Sequence, residues 1–600
     1  MSMRPLKWVF IVGFVMLNGW ANGQKTGSKI NVSVPKLSAS DREMLKGMLN
    51  AVDKKFDDSV GMLINPIHGY QYHIDVTEGD YHGIRSSFQY ALRLLDLEDA
   101  AQIGKACKII KKCLSLQDTI ATSKTCGIWG YYLEEPLATK KSPPDFNMAD
   151  FNADDLLDIW MEHRHKLPQA LQVQIKRSLE LAAKSIMHRN VDLGYTNIAI
   201  KGTYVSFMVS HLFDNLFDIR TYSENKLDSF FAFTIRKNGF PEYNSPNYTP
   251  EALRDLNKMQ MHIIDSKYKW KIDSIYNMAW SMIAKHWFAP VAQLAGPHSR
   301  SYSSILSPSF YSFLAESTDG KCKIPNIQGN RPKWEELGRF QQHVPPFISD
   351  YFFKPQYPRT ETSVLEPEQP QIIGTTYLGQ SYTIGTANRS SLWNQRRPCI
   401  AYWGTPTQPH YFQLRFLNNG YDFSSASFYS AQKENSFLAA INLNTGGGNK
   451  HISIDRIKTS KFTTSDLRIR FEFGNCKTVD NIVLPQEDGT DLALNMEGLP
   501  FSFQLYLANC SLGKGYWEKG HDEKNVWIDY VVFHGNERTV DLNKLENAFW
   551  GIGCTVGTNE KDNSKEKVTY QVGNDGNISA SWKGMQISAS EKVLPLPFHL

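Results

Sequence analysis

Residues 152–190 read NADDLLDIWMEHRHKLPQALQVQIKRSLELAAKSIMHRN. Two stretches of helical period meet at Leu167-Pro168, and Pro168 falls at a first helical position, where its missing N–H costs nothing. Helices joined by so short a connection pack antiparallel. Working outward, the unit recurs. Upstream lies SASDREMLKGMLNAVDKKF, with a serine cap and with Leu45, Met48, Leu49 and Val52 on one face, followed by YHGIRSSFQYALRLLDL and EDAAQIGKACKIIKKCLSL. Downstream lie TNIAIKGTYVSFMVSHLFDNLF, ENKLDSFFAFTIRKNG, TPEALRDLNKMQMHII, where Thr249-Pro250-Glu251 reads as a capped start, and KIDSIYNMAWSMIAKHWF. The helical period thus runs from about Leu37 to about Phe288. No fixed-length repeat is found, which disfavours a regular solenoid and favours an (α/α) toroid, an incomplete barrel of helix pairs.

Further out the texture changes. Gly296-Pro297 opens an irregular stretch rich in Ser, Pro and Tyr. Beyond Pro370, segments such as GTTYLGQSYTIGTAN, YFQLRFLNNGYDF, DLRIRFEFGNC and WIDYVVFHG alternate polar and apolar residues between Gly, Asn and Asp turns, the pattern of an antiparallel β-sandwich. Helices first and strands second mean segregated α and β parts, and 600 residues exceed what one core holds. The expected organisation is a signal peptide over 1–23, a helical toroid over 24–300, a linker over 301–370 and a β-sandwich over 371–600.

The signal peptide is read from Arg4 and Lys7, the apolar run Trp8 to Leu17, and the small residues Ala21-Asn22-Gly23, so a secreted or periplasmic protein is expected. No later stretch is apolar enough to insert in a membrane. A net charge of +4 on this length argues against a nucleic-acid partner bound by bulk charge, while leaving room for an anionic substrate in a local pocket. The 8 cysteines contain no CxxC, which disfavours a zinc thiolate site or redox pair; a disulfide among Cys107, Cys113 and Cys126 stays open. Aromatics make up 12% of the chain, serving either as ring platforms for ligands or as large aromatic cores.

Five loops carry the chemistry-bearing residues. The first holds Trp129, Tyr131, Glu134, Asp145 and Asp150; the second Tyr195, Asn197 and Tyr204; the third Glu242, Tyr243, Asn244, Asn247 and Tyr248; the fourth His298, Arg300 and Tyr302; the fifth Trp393, Gln395, Arg396 and Arg397. Cleavage beside a uronic acid by β-elimination needs fixed donors on the carboxylate, a base for the C5 proton and an acid for the leaving oxygen. Tyr243, Tyr248, His298, Arg300 and Tyr302 are the candidate catalytic groups; Asn197, Asn244, Trp129 and Arg396 are the candidate substrate-binding groups. Each has a structural alternative: Asn197 as a turn residue, the tyrosines as rim packing, His298 and Arg300 as an anchor for the linker, Arg396-Arg397 as an interdomain contact. His68, His73 and His82 lack metal-ligand spacing, Asp145, Asp150, Asp154 and Asp155 read as helix-start acids, and no metal or cofactor is expected.

The strings LGYTNIAIKGTY (193–204), FPEYNSPNYTPEAL (240–253), AGPHSRSY (295–302) and LWNQRRPCIAYWG (392–404) resemble secreted lyases with a helical toroid followed by a β-sandwich, an architecture similar to heparinase II/III, chondroitin and alginate lyases. Among these the chain is most similar to polysaccharide lyase family 27, associated with L-rhamnose-α-1,4-D-glucuronate lyase activity on arabinogalactan-type glycans. The resemblance implies an acidic oligosaccharide or polysaccharide as partner. It places Asn197 or Asn244 on the glucuronate carboxylate, has Tyr243, Tyr248 or Tyr302 supply acid or base, and has His298 and Arg300 assist. Heparinase-type lyases carry an Asn-His pair at the carboxylate; here Ile198 follows Asn197, so the resemblance does not assign the base. The alternative reading is a glycoside hydrolase on the same toroid, with two carboxylates drawn from Glu134, Glu135, Asp145, Asp150 and Glu242.

Overall fold

The computed structural model describes residues 29–33, 36–71, 73–326, 333–339, 341–446, 460–477, 482–485, 491–557 and 566–595; the expected signal peptide lies outside them. After α1 (Ala39–Asp53), capped by the Ser38 hydroxyl, come four helical hairpins: α2 (Ile84–Asp96) with α3 (Ala100–Leu114), α4 (Asn147–His163) with α5 (Gln169–Arg189), α6 (Thr196–Leu212) with α7 (Phe217–Arg236), and α8 (Tyr248–His262) with α9 (Ser266–His286). The even-numbered helices pack side by side as an inner row and the odd-numbered ones back them. Residue pattern sets the layer. Outer α5 buries one stripe, Leu171, Ile175, Leu179, Ala182 and Ile186, whereas inner α6 is buried around its circumference from Ile198 to Ser210.

Two stretches depart from the expected pattern. Within the helical span, Phe56–Asp57, Met62–His68 and Glu78–Gly83 form a three-stranded antiparallel sheet, because Gly61, Pro66 and Gly69 deny the chain a helical run. The stretch 301–370, expected as a linker, is built into both parts. Its α10 (Pro308–Ser317) places Phe310, Tyr311, Phe313 and Leu314 in the helical core, with Phe313 stacked on Trp280 at 5.3 Å, and its strand Arg359–Glu366 ends the larger sheet.

The β part is a sandwich. One sheet runs in the order Tyr516–His521, Asn525–Asp541, Lys461–Gly474, Gln408–Asn418, Cys399–Thr405, Tyr382–Ala387, Ile372–Leu378, Arg359–Glu366. The other runs Asp491–Met496, Leu499–Cys510, Ala548–Val556, Ser436–Leu443, Ala426–Lys433, Arg389–Ser391. Their facing sides share one core, in which Phe412 of the first meets Phe501 of the second at 5.6 Å. None of the cysteines is paired.

The segment after α9 ties the helices to this sandwich. The Thr376 hydroxyl donates to the Gly296 carbonyl at 2.6 Å, and His298 and Arg397 exchange backbone hydrogen bonds of 3.0 and 2.9 Å. Gly385 permits the approach: a Cβ there would collide with the Gly296 carbonyl.

Candidate active site

Tyr248 opens α8, two residues earlier than a Thr249-capped start at Pro250, because the Ser245 hydroxyl accepts from its N–H at 3.0 Å. This sets the phenol at the rim of the inner helical row. The Ser245 hydroxyl in turn donates to the Arg300 carbonyl at 2.7 Å, so the third and fourth loops are held together. Arg300 is the hub. Its Nε–H donates to Gln395 Oε1 at 2.6 Å, one Nη to Glu242 Oε1 at 3.1 Å and the other to the Tyr248 hydroxyl at 3.2 Å. The guanidinium also lies 4.9 Å from the Tyr248 ring centroid and 5.2 Å from that of Trp393. Tyr248 and Tyr302 are hydrogen-bonded hydroxyl to hydroxyl, and Tyr302 is 58% exposed.

Each Arg300 terminal nitrogen carries a second N–H beyond those bonds, a fork suited to a carboxylate. Burial pushes Glu242 up to about 7 against the pull of Arg300, and its Oε2 is buried without a hydrogen-bond partner. Burial also raises Tyr248, outweighing Arg300, so the phenol stays protonated at neutral pH. The cluster extends along the rim, where Tyr195 Oη accepts from Asn147 at 3.3 Å and Tyr131 donates to Asp145 at 2.6 Å.

Among the expected residues, Tyr248, Arg300 and Tyr302 converge. Asn197 lines a cavity of 370 Å³ with Asp155, Lys201 and Glu251, the last one turn along α8 from Tyr248. The remaining five are corrections. Trp129 is fully buried in the helical core and donates to the Cys113 carbonyl, so it offers no platform to a sugar. Tyr243 packs against Leu365, Ile372 and Ala387, with its hydroxyl enclosed. Asn244, in left-handed conformation, spends both amide N–H groups on the Ala295 and Pro297 carbonyls, at 2.7 and 2.9 Å. His298 is held at the Asn244 carbonyl at 2.7 Å, and burial depresses it to about 3, so it is a neutral strut under the Arg300 segment and not an accessible base. Arg396 is buried, and its Nη1 donates to Ser391 at 3.0 Å within the sandwich.

Of the carboxylates of the hydrolase alternative, Glu134, Glu135 and Asp145 are committed to hydrogen bonds, whereas both oxygens of Asp150 and one of Glu242 are buried without one. Glu134 binds His82 at 2.5 Å, and Glu135 accepts from the Asp75 and Val76 N–H groups at 2.5 and 2.9 Å. Asp154 and Asp155, read as helix-start acids, instead sit two turns into α4 and face inward. Lys201 bridges Asp154 and Asp255 at 2.9 and 2.6 Å, and Lys258 bridges Asp154 and Asp158 at 2.8 Å each. The signal for this network is Lys201 itself, a charge inside an otherwise apolar helix. Arg339, from the stretch expected as a linker, reaches the same interior and pairs with Asp158, Glu162 and Asp96. Asp96, Glu162 and His163 have the spacing of metal ligands, but Arg93 and Arg339 already neutralise these carboxylates.

A family profile described as "Domain of unknown function (DUF8769)" matches residues 42–318. No curated protein matches the chain. Among solved structures, it is similar to "Crystal Structure of Heparinase III", with a TM-score of 0.46 and 10% identity over 95% of this chain and 93% of that one. It is also similar to a mutant heparan sulfate lyase HepC from Pedobacter heparinus, with a TM-score of 0.43 and 9% identity over 95% of this chain and 91% of that one. Among the described residues no helix is long and apolar enough to cross a membrane.

Proposed function

We propose that the chain is a polysaccharide lyase that cleaves the glycosidic bond at O4 of a uronate by β-elimination, exported by the segment 1–23. The observation that carries this reading is Arg300, whose two spare N–H groups lie beside a hydrogen-bonded pair of phenols. The uronate carboxylate takes the guanidinium fork, and neutralising its charge acidifies the C5 hydrogen. Tyr302, the exposed phenol, serves as the base that takes this proton; Tyr248, kept protonated by burial, donates to the leaving oxygen. The C5–H electron pair becomes the C4=C5 double bond, the C4–O bond breaks, and the departing sugar leaves with its hydroxyl restored.

Glu242 sets how strongly Arg300 attracts the substrate. Protonated, it leaves the guanidinium charge uncompensated; ionised, it competes with the uronate. The finer reading is an L-rhamnose-α-1,4-D-glucuronate lyase acting on arabinogalactan-type glycans, which rests on the resemblance of the four motifs. The test is product analysis on a panel of uronate glycans that includes rhamnose-capped glucuronate. An unsaturated uronate, seen by its ultraviolet absorbance, is expected; a saturated product would point to hydrolysis with Glu242 as acid, and no turnover of any uronate glycan would refute the proposal.

A further inference from the structure

On the outer face of the helical part, α3 and α5 leave between them an open groove of 620 Å³. Helical spacing builds it. Lys108, Lys111 and Lys112 stand at i, i+3 and i+4 on α3, and Gln174 and Arg177 stand at i and i+3 on α5, so each helix turns one stripe toward the other. The floor is firm: the Gln117 amide donates to the Gly127 and Ser178 carbonyls at 2.9 and 3.1 Å and accepts from the Ser178 hydroxyl at 2.6 Å. No carboxylate lines the groove. The neighbouring acids are turned elsewhere, Asp118 to the Ser123 and Thr125 hydroxyls and Glu180 to Lys176. Among the described residues, Lys108, Lys111, Lys112 and Arg177 make no ion pair. The C-terminal dipole of α3 accounts for favouring Lys111 and Lys112, but it leaves their charges unneutralised and has no bearing on Arg177.

We infer that this groove binds an anionic polysaccharide, by its carboxylates or sulfates, as a site separate from the Arg300 cluster. Lysine ammoniums are mobile point charges and suit anions spaced irregularly along a glycan. A recessed channel between two helices admits a chain. No aromatic side chain lines it to stack a base, which disfavours single-stranded nucleic acid.

The test measures binding of the full-length chain to labelled polygalacturonate, dextran sulfate and uncharged dextran at low and at physiological salt. Wild-type protein should retain one or both polyanions, more weakly as salt rises, and should ignore dextran. The polyanion that binds identifies carboxylate or sulfate as the anion read. Neutralising the groove in K108Q/K111Q/K112Q/R177Q should weaken that binding about tenfold or more, and R177Q alone, on the other helix, by a smaller factor, with thermal unfolding unchanged because these side chains face solvent. Absence of polyanion binding by the wild type, equal binding by the fourfold variant, or tighter binding of phosphatidylserine vesicles or duplex DNA through the same residues would overturn the inference.

Discussion

In the helical interior Lys201 meets two carboxylates and Lys258 meets two; at the seam with the sandwich Arg300 meets one carboxylate, one amide and one phenol. Both regions are ionic and largely buried, yet they differ in saturation. Inside, carboxylates and cations alternate, and Lys201 and Lys258 overcome the burial penalty on Asp154 to hold it below the usual carboxylate range. At the seam Glu242 keeps one oxygen without a partner and is pushed up to about 7. The Lys201–Asp154–Lys258 chain is saturated and has nothing left to offer a ligand, although Asp155 beside it keeps one oxygen without a hydrogen bond and is pushed up to about 7 by burial. An unsaturated cluster retains groups whose needs a substrate fulfils.

The comparison breaks most visibly through Lys201→Met. Removing Lys201 strands Asp255 and leaves Asp154 with Lys258 alone, and loss of a partner from a buried ion pair costs about 3–5 kcal/mol. Urea unfolding should show that loss, while the folded fraction keeps its kcat/KM. Arg300→Gln should do the reverse. It removes the carboxylate fork and should lower kcat/KM on a uronate glycan by about 10²–10³-fold, with a far smaller change in the unfolding midpoint. If the two variants affect stability and turnover alike, the division between saturated and open regions does not hold.

The sequence carried the layer order because period does: α5 shows one apolar stripe, α6 is apolar all round, and the strands alternate. The residues of the rim cluster, Tyr248, Arg300 and Tyr302, are also legible as polar and aromatic residues at a helix start and in a loop, but rim packing reads the same way in one dimension, and only the fold brings the three into contact. His298, Asn244 and Trp129 were indistinguishable from site residues in one dimension. Their burial depends on which carbonyls come within reach, and Ala295, Pro297 and Cys113 reach them only after folding. Asp154, Asp155 and Asp158 carry the spacing of an exposed acidic face, and only their partners show that they point inward: Lys201 of α6 and Lys258 of α8 for Asp154 and Asp158, and Arg85 of α2 for Asp155.

Acid–base behaviour sharpens the comparison at the seam. The Glu242 carboxyl titrates near 4.5 when unfolded and about 7 when folded, so between these values the folded chain holds the extra proton. Wild-type stability should therefore fall as pH rises through that window, reaching a penalty of about 3 kcal/mol above it. Glu242→Gln should remove the penalty: chemical denaturation should find the variant more stable than wild type near pH 8 and no different near pH 4. KM of wild type for an anionic glycan should rise on passing pH 7, and the same substitution should flatten that rise, because Arg300 no longer gains a competing charge. A KM that rises equally in both proteins would detach Glu242 from substrate recognition.

The smallest change asks whether the seam itself aims Arg300. Gly385 faces the Gly296 carbonyl, and an alanine methyl there must push the Gly296–Tyr302 segment off the sheet, against the Thr376 hydrogen bond and the His298–Arg397 pairing. Overpacking of this kind costs about 1–3 kcal/mol. The interior network lies elsewhere and should be untouched, so the destabilisation of Gly385→Ala should add to that of Lys201→Met, as it does for separate sites. Its effect on turnover should not add to that of Arg300→Gln. Once the guanidinium is gone, displacing the segment that carries it has little left to disturb. A double variant whose kcat/KM falls by the full product of the two single losses would show that the segment serves catalysis through some group other than Arg300, and would move attention to Tyr302 on the same strand of chain.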